Sequence, residues 1–300
     1  MTYSPLRYPG GKNRLAPFIG KICSDNGLNY HYVEPYSGGA SVGLFLLFEN
    51  FVNQITINDK DRSIYAFWNA VLNQADAICE MIDRTPITIE EWKKQKEIQS
   101  KKDCADLLEL GFSTLFLNRT NRSGIIKAGV IGGYSQEGEY KLDCRFNKED
   151  LIKRINKIAK RKDNISLYNV DALELMDRII ENDDNLDGTL FYFDPPYYEK
   201  GSSLYMNYYK KSHHQIVSEK IKNLINVKWL VSYDDNPAIK ELYADCTTLE
   251  YSLIHTAAQA KEGSELLFLS QDIIFDDARN PLKYKLKKTA KETKIIYIDN

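Results

Sequence analysis

Cysteine is scarce and scattered: Cys23, Cys79, Cys104, Cys144 and Cys246 form an odd set with no CxxC pair in 300 residues. That excludes a disulfide framework or a thiolate zinc site and leaves the thiols as small core fillers. Histidine is no richer. His213 and His214 are adjacent, so only one of them can serve a given site, and His31 and His255 stand alone; no metal constellation emerges, and structural or solvated roles remain for them. Long apolar runs are missing too: Val42 to Phe48, with Gly43 inside it, is far short of the ~18 residues that cross a bilayer. The opening Met-Thr-Tyr-Ser-Pro-Leu-Arg has no basic region followed by an apolar core, so no secretory signal and a cytoplasmic location are expected. There is no internal repeat and no GxGxxG. Gly10-Gly11-Lys12-Asn13 fails as a phosphate loop because Leu6 stands where the first glycine belongs and Asn13 where Ser or Thr belongs.

What is present describes a folded protein of 34.6 kDa with 43% hydrophobic and 27% charged residues. The chain is long enough for one large α/β domain, or for one domain carrying an insertion. The net charge of -2 conceals a division. Lys93 to Lys162 holds 17 Lys and Arg against 9 Asp and Glu, so this segment carries +8 and the remainder -10. A basic insertion in an acidic body suits a polyanion-binding module on an enzyme core. Lysine-rich helices such as Lys153 to Lys162 can equally be solvated faces.

The pattern along the chain is that of a parallel α/β sheet. Tyr30 to Glu34 reads as a strand, Pro35 to Gly39 as a tight turn and Ala40 to Phe48 as a helix; Gln54 to Ile57 is a second strand ending at Asn58-Asp59. Thr88-x-x-Glu91 opens a polar helix, and Ala105 to Leu117 a more apolar one. Asn118 to Asp143, rich in glycine, is expected to be loop or hairpin. Strands resume at Ile165 to Tyr168, Thr189 to Phe193 and Lys228 to Ser232, and Thr248 to Leu253 with Glu265 to Leu269 should close the sheet as an antiparallel pair. The fold class expected is a Rossmann-like α/β sheet, mostly parallel with a final antiparallel strand, plus an inserted, mainly helical domain. The boundaries are 1–75 and 163–280 for the catalytic part, 76–162 for the insertion, and 281–300 for a basic tail that is either a solvated end or a weak phosphate contact.

Chemistry concentrates in Phe191-Tyr192-Phe193-Asp194-Pro195-Pro196-Tyr197. Proline holds the preceding residue extended and offers no N–H, so the Asp194 carboxylate and the Pro195 carbonyl form a stiff pair of acceptors. Such a pair beside an aromatic ring matches a planar NH2 donor such as adenine's amine, with Tyr197 stacking on the base. The strand-to-helix turn Glu34-Pro35-Tyr36-Ser37-Gly38-Gly39 lets backbone approach a ligand, and Asp59 at the end of the second strand is placed to accept from ribose hydroxyls.

Arg7-Tyr8-Pro9-Gly10-Gly11-Lys12, Glu34 to Gly39, Asn58-Asp59, Asn118-Arg119-Thr120 with Gly124, and Asp194-Pro195-Pro196-Tyr197 occur in the order of the DNA adenine methylase (Dam) family, which this chain resembles from about Tyr3 to Leu269. The resemblance implies transfer of a methyl group from S-adenosylmethionine to the N6 amine of a flipped adenine in a specific duplex DNA sequence, without a metal. It places Tyr8 and Lys12 near the cofactor, Glu34, Pro35, Ser37, Gly38 and Gly39 around its methionine part, Asp59 on its ribose, Asp171 near its adenine, and Asp194 beside it. Asp171 also reads as an ordinary helix N-cap. Asp194, Pro195 and Tyr197 are the catalytic residues implied.

Tyr8-Pro9 stands where the family commonly has an aromatic-Ala pair, and Asn121 to Gly129 differs where familiar members read their bases, so no target sequence is carried over. From the basic insertion, Arg119, Asn121, Arg122, Ser123 and Lys127 are the expected DNA contacts. Double-stranded DNA is the expected partner, with no membrane and no obligate protein partner; restriction-modification is one context. The alternatives are an amino-methyltransferase acting on cytosine or RNA, and a catalytically silent DNA-binding module.

Overall fold

The computed structural model describes residues 2–8, 12–182, 185–198, 209–255, 261–275, 284–288 and 294–298. The strands are β1 (His31–Glu34), β2 (Gln54–Asn58), β3 (Ile165–Tyr168), β4 (Thr189–Phe193), β5 (Lys228–Asp234), β6 (Thr247–His255), β7 (Lys261–Leu269), β8 (Tyr284–Lys288) and β9 (Lys294–Ile298). The helices are α1 (Ala16–Asp25), α2 (Ser41–Phe48), α3 (Arg62–Asn73), α4 (Ala75–Arg84), α5 (Ile89–Ser100), α6 (Leu107–Thr120), α7 (Lys148–Ala159), α8 (Ala172–Asn182), α9 (Lys211–Lys222) and α10 (Pro237–Leu242). By contacts the chain divides into two compact units: Met1–Gly11, Ser37–Ser41 and Asn58–Asp171 form the first, and Lys12–Tyr36, Val42–Ile57 and Ala172–Asn300 the second.

Among the described residues, the second unit holds eight of nine strands, in the order β2-β1-β4-β5-β7-β6-β9-β8. β1 pairs in parallel with β2 and β4, and β4 with β5; β7 then runs antiparallel between β5 and β6. This is the Rossmann-like methyltransferase arrangement expected from the sequence, mostly parallel and closed by an antiparallel strand. β1 and β4 are buried at every residue, which is what helices on both faces of a parallel sheet demand. The tail differs from expectation: β9 adds in parallel to β6, and β8 pairs antiparallel with β9. The lysines of this segment mask the apolar run Ile295 to Ile298 that lies among them.

The first unit is built on α6, buried from Leu110 to Thr120. Gly111 lets it lie directly on α3, because a Cβ there would come 2.6 Å from the Ala66 carbonyl oxygen. Buried hydroxyls on α6 find backbone partners, Ser113 donating to Gln95 O at 2.7 Å and Thr114 to Ser63 O at 3.1 Å. Thr88 caps α5 as its signature predicts, accepting from Glu91 N at 3.2 Å. Trp92 and Gln95 turn to the core and leave the lysines outside. The unit reaches beyond 76–162, taking in the end of β2, α3 and β3.

Candidate active site

In the first unit the glycine turn and the end of β2 hold each other. Ser37 N donates to Asn58 O at 2.8 Å, and Gly38 N to Asp59 Oδ2 at 3.1 Å. The Gly38 carbonyl accepts from Trp68 Nε1 at 2.9 Å. Gly38 sits at φ +43°, and a Cβ on it would meet the Tyr8 ring at 2.5 Å, so both conformation and space require glycine. Asp59 also accepts from Asp61 N at 2.9 Å. Burial, and next the Asp61 charge, push its carboxyl from the ordinary 3.8 up to about 7, against the pull of the two amides. Asn58 ties the loop after β3 through Val170, donating to its carbonyl at 3.1 Å and accepting from its N–H at 3.0 Å. Asp171, on that loop, pairs with Lys60 Nζ at 2.9 Å. Pro9, Gly10 and Gly11 of the first motif lie outside the described residues.

Sheet register assembles a second cluster, wholly within the second unit. Tyr32 on β1 is level with Leu190 on β4, and Leu190 shares its face with Tyr192 and Asp194; Tyr192 is level with Leu230 on β5, whose face Ser232 shares. Ser232 is level with Leu267 on β7, and Glu265, two residues away, faces Tyr251 on β6. One face of the sheet thus brings Tyr32, Glu34, Tyr192, Asp194, Ser232, Tyr251 and Glu265 together at the carboxyl ends of the parallel strands, where open α/β sheets bind ligands.

Lys12 enters this face with its ammonium buried, 2.9 Å from Asp194 Oδ1 and 3.4 Å from Glu265 Oε2. Burial opposes its charge, but Asp194 and Glu265 outweigh it and hold the ammonium well above its usual range. Ser232 Oγ donates to the same Asp194 oxygen at 2.6 Å and is itself 2.8 Å from Tyr192 Oη. Asp194 Oδ1 is therefore spoken for, whereas no described side chain hydrogen-bonds Oδ2, and no described donor reaches the Pro195 carbonyl. Burial and then the Glu265 charge raise the Asp194 carboxyl, which Lys12 and Ser232 pull back. Tyr197 is buried, its hydroxyl donating to Glu265 Oε1 at 2.6 Å and accepting from Lys12 at 3.3 Å.

Glu34 lies beside them, raised well above the carboxylate range by burial and then by the Asp194 charge. Its Oε2 has no hydrogen-bond partner. Gly43 leaves it room, since a Cβ there would stand 3.2 Å away. Sequence reasoning missed Ser232, Tyr251 and Glu265. A glutamate inside the apolar stretch Glu265 to Leu269 was the signal available.

Two expected DNA contacts are corrected. Helix α6 runs on through Thr120, which turns Arg119 inward: its guanidinium donates twice to the Pro5 carbonyl, and it is 9% exposed. Burial, with Arg154 and Arg7 nearby, brings its pKa down to about 10. Asn121 is fully buried. It accepts from Trp92 Nε1 at 2.6 Å and donates to the carbonyls of Ile125 at 3.0 Å and Ile126 at 2.9 Å, so both of its N–H donors are spent inside the unit. Arg122, Ser123 and Lys127 are exposed. Arg119→Ala is accordingly expected to cost about 2–3 kcal/mol of stability by stranding a buried carbonyl. Urea unfolding measures this; an unaltered midpoint with altered sequence preference would return Arg119 to base reading.

Among the described residues no group of His, Cys, Asp and Glu is placed to hold a metal ion, and no helix is long and apolar enough to cross a membrane. His214 is buried with Nδ1 2.9 Å from Tyr233 Oη, and burial brings it down to about 4.

Residues 8–261 match the family model of the D12 class N6 adenine-specific DNA methyltransferases. The chain is 25% identical over 207 residues to the Type II methyltransferase M.MjaIII of Methanocaldococcus jannaschii, covering 64% of this chain and 68% of that one. It also aligns with the crystal structure of protein LPL1258 of Legionella pneumophila at 12% identity and a TM-score of 0.28, over 85% of this chain and 84% of that one.

Proposed function

The chain belongs to the D12 class N6 adenine-specific DNA methyltransferase family, and on that premise we propose that it methylates the N6 amine of an adenine turned out of duplex DNA at a specific sequence, using S-adenosylmethionine. The observation that carries this reading is the division of labour at Asp194. One oxygen is pinned by Lys12 and Ser232, and the other, with the Pro195 carbonyl, is left to accept.

The residues present fit that cofactor. Within the second unit, Glu34 Oε2 is a buried acceptor without a hydrogen-bond partner, suited to an amino-acid ammonium; within the first, the buried Ser37 Oγ is likewise without one. Asp59, with lone pairs beyond those its two amides occupy, suits ribose hydroxyls. Tyr8, Pro35, Gly38 and Gly39 line the same turn, and Asp171 is assigned to the adenine. When bound, S-adenosylmethionine supplies an electrophilic methyl group on a sulfonium.

The chain's part in the reaction falls to Asp194 and Pro195. Hydrogen bonds from the two N–H groups of the target amine to Asp194 Oδ2 and Pro195 O free its lone pair from the ring and stabilise the positive charge that grows on nitrogen. Turning the base out costs a few kcal/mol. Stacking on Tyr197, worth ~1–3 kcal/mol, and phosphate contacts from Arg122 and Lys127 offset it.

The test is transfer of labelled methyl groups to unmodified duplex DNA, followed by nucleoside analysis. N6-methyladenine alone is expected; label on cytosine, on RNA or nowhere would refute the proposal. The titration of Asp59 gives a second prediction. Folded, it keeps a proton up to about pH 7, and a diol donating to it favours the charged form and expels that proton. Cofactor affinity measured by calorimetry should therefore rise as pH passes from 6 to 8. Glu34 is raised as well and acts in the same direction, so Asp59→Asn should reduce the slope without abolishing it. An unchanged slope would remove Asp59 from the cofactor.

A further inference from the structure

The structure assigns Glu265 a positioning role: we propose that this carboxylate on β7 locks Tyr197 and Lys12 in place and, through them, fixes the orientation of Asp194. The inference rests on the proposed methyl transfer and concerns a residue outside the sequence motifs.

Glu265 is 1% exposed, and each of its oxygens is committed. Oε1 accepts from Tyr197 Oη at 2.6 Å, and Oε2 from Tyr251 Oη at 2.6 Å. Oε2 also lies 3.4 Å from Lys12 Nζ. Lys12 spans onward, 2.9 Å to Asp194 and 3.3 Å to the Tyr197 hydroxyl. Tyr197, Lys12 and Glu265 thus close a ring in which each member contacts the other two, and Asp194 hangs from it at Lys12.

A glutamate has no reason to sit in an apolar strand unless paired, since an unpartnered buried carboxylate is costly. Here the pairing runs to groups flanking the two acceptors of Asp-Pro-Pro-Tyr. Tyr251 stands directly across the strands from Glu265. It fixes the carboxylate from the side away from Asp194, so the ring is anchored to the sheet and not to the loop that carries the chemistry.

The groups facing Asp194 are Lys12 ahead of α1, Tyr32 and Glu34 on β1, Tyr192 on β4, Ser232 and Tyr233 on β5, and Glu265 on β7. Of these Glu265 and Glu34 are carboxyls, and the negative charge of Glu265 raises the Asp194 pKa.

Glu265→Gln preserves shape and removes the charge. The expected result, in single-turnover methyl transfer to duplex DNA, is a rate about 10–100-fold lower, the size of loss a small misplacement at a reacting centre produces. KM for DNA should stay within about twofold, because no DNA contact is lost. The acid limb of the rate profile should move to lower pH, since Asp194 loses a negative neighbour. A merely structural defect would lower the active fraction and leave that limb where it was. Wild-type rate or an unmoved limb in a folded Glu265→Gln protein would overturn the proposal. Should that variant not fold, Tyr251→Phe removes one donor to Glu265 and no charge; a several-fold slower rate at unchanged KM supports the lock, and an unchanged rate overturns it. Failure of the underlying reading is separate: the wild-type protein would then methylate no adenine at all.

Discussion

Asp194→Ala is expected to slow methyl transfer by at least about 10²–10³-fold, ~3–4 kcal/mol of transition-state stabilisation, while duplex DNA binding stays within a few-fold. The separation follows from what Asp194 touches. Its bonds are to Lys12 and Ser232, neither of them on the basic segment expected to meet phosphates. Asp194→Asn should be as inactive as the alanine variant, although it is nearly isosteric. Lys12 can only donate, so the amide oxygen must turn towards it. The NH2 group is then presented to the incoming amine, donor against donor. Rates from rapid quench and affinities from a binding titration check both halves; an active Asp194→Asn enzyme would show that the carboxylate is not the acceptor.

Lys12→Met has the other large effect, and it acts on stability and chemistry together. One ammonium serves two carboxylates, the partly buried Asp194 at 2.9 Å and the buried Glu265 at 3.4 Å. Removing it leaves them uncompensated, a change that costs about 3–5 kcal/mol when one partner of a buried pair is lost. Protonation offers relief, which fixes the sign of the pH dependence. Lys12 pulls the Asp194 pKa down, so its loss raises that pKa further above the unfolded value. Stability of the variant relative to wild type should then fall as pH rises from the ordinary carboxylate range through the raised folded pKa, making it least handicapped in acid. The acid limb of its residual activity should move to higher pH, opposite to the shift expected for Glu265→Gln. Thermal melts and rate profiles on both proteins read the pair of signs. Two shifts in the same direction would mean that the cluster does not act through Asp194.

The parts of the site that were legible in the sequence are those in which chemistry and geometry are neighbours along the chain. Glu34 to Gly39 declares a strand, a turn and a helix, and Phe191 to Tyr197 declares a buried strand ending in stiff acceptors. In both, a few residues fix the local backbone. Glu265, Tyr251 and Ser232 could not be assigned from the sequence, because their meeting depends on β7 inserting antiparallel between β5 and β6.

Arg119 and Asn121 misled for a different reason. They lie in a polar, basic segment that suits nucleic acid, but α6 continues far enough to bury both, and their donors satisfy backbone carbonyls. Residue type announced the capacity for hydrogen bonding, and only the fold showed where it was spent. The strands β8 and β9 escaped notice because a lysine-rich composition outweighed a short apolar run.

The most direct test is a crystal structure of the protein with a non-reactive sulfonium analogue and duplex DNA containing its target. The account predicts an everted adenine with N6 within about 3 Å of both Asp194 Oδ2 and the Pro195 carbonyl, Asp194 Oδ1 still held by Lys12 and Ser232. An adenine left in the stack, or N6 bound by other groups with Asp194 turned wholly to Lys12, would contradict it.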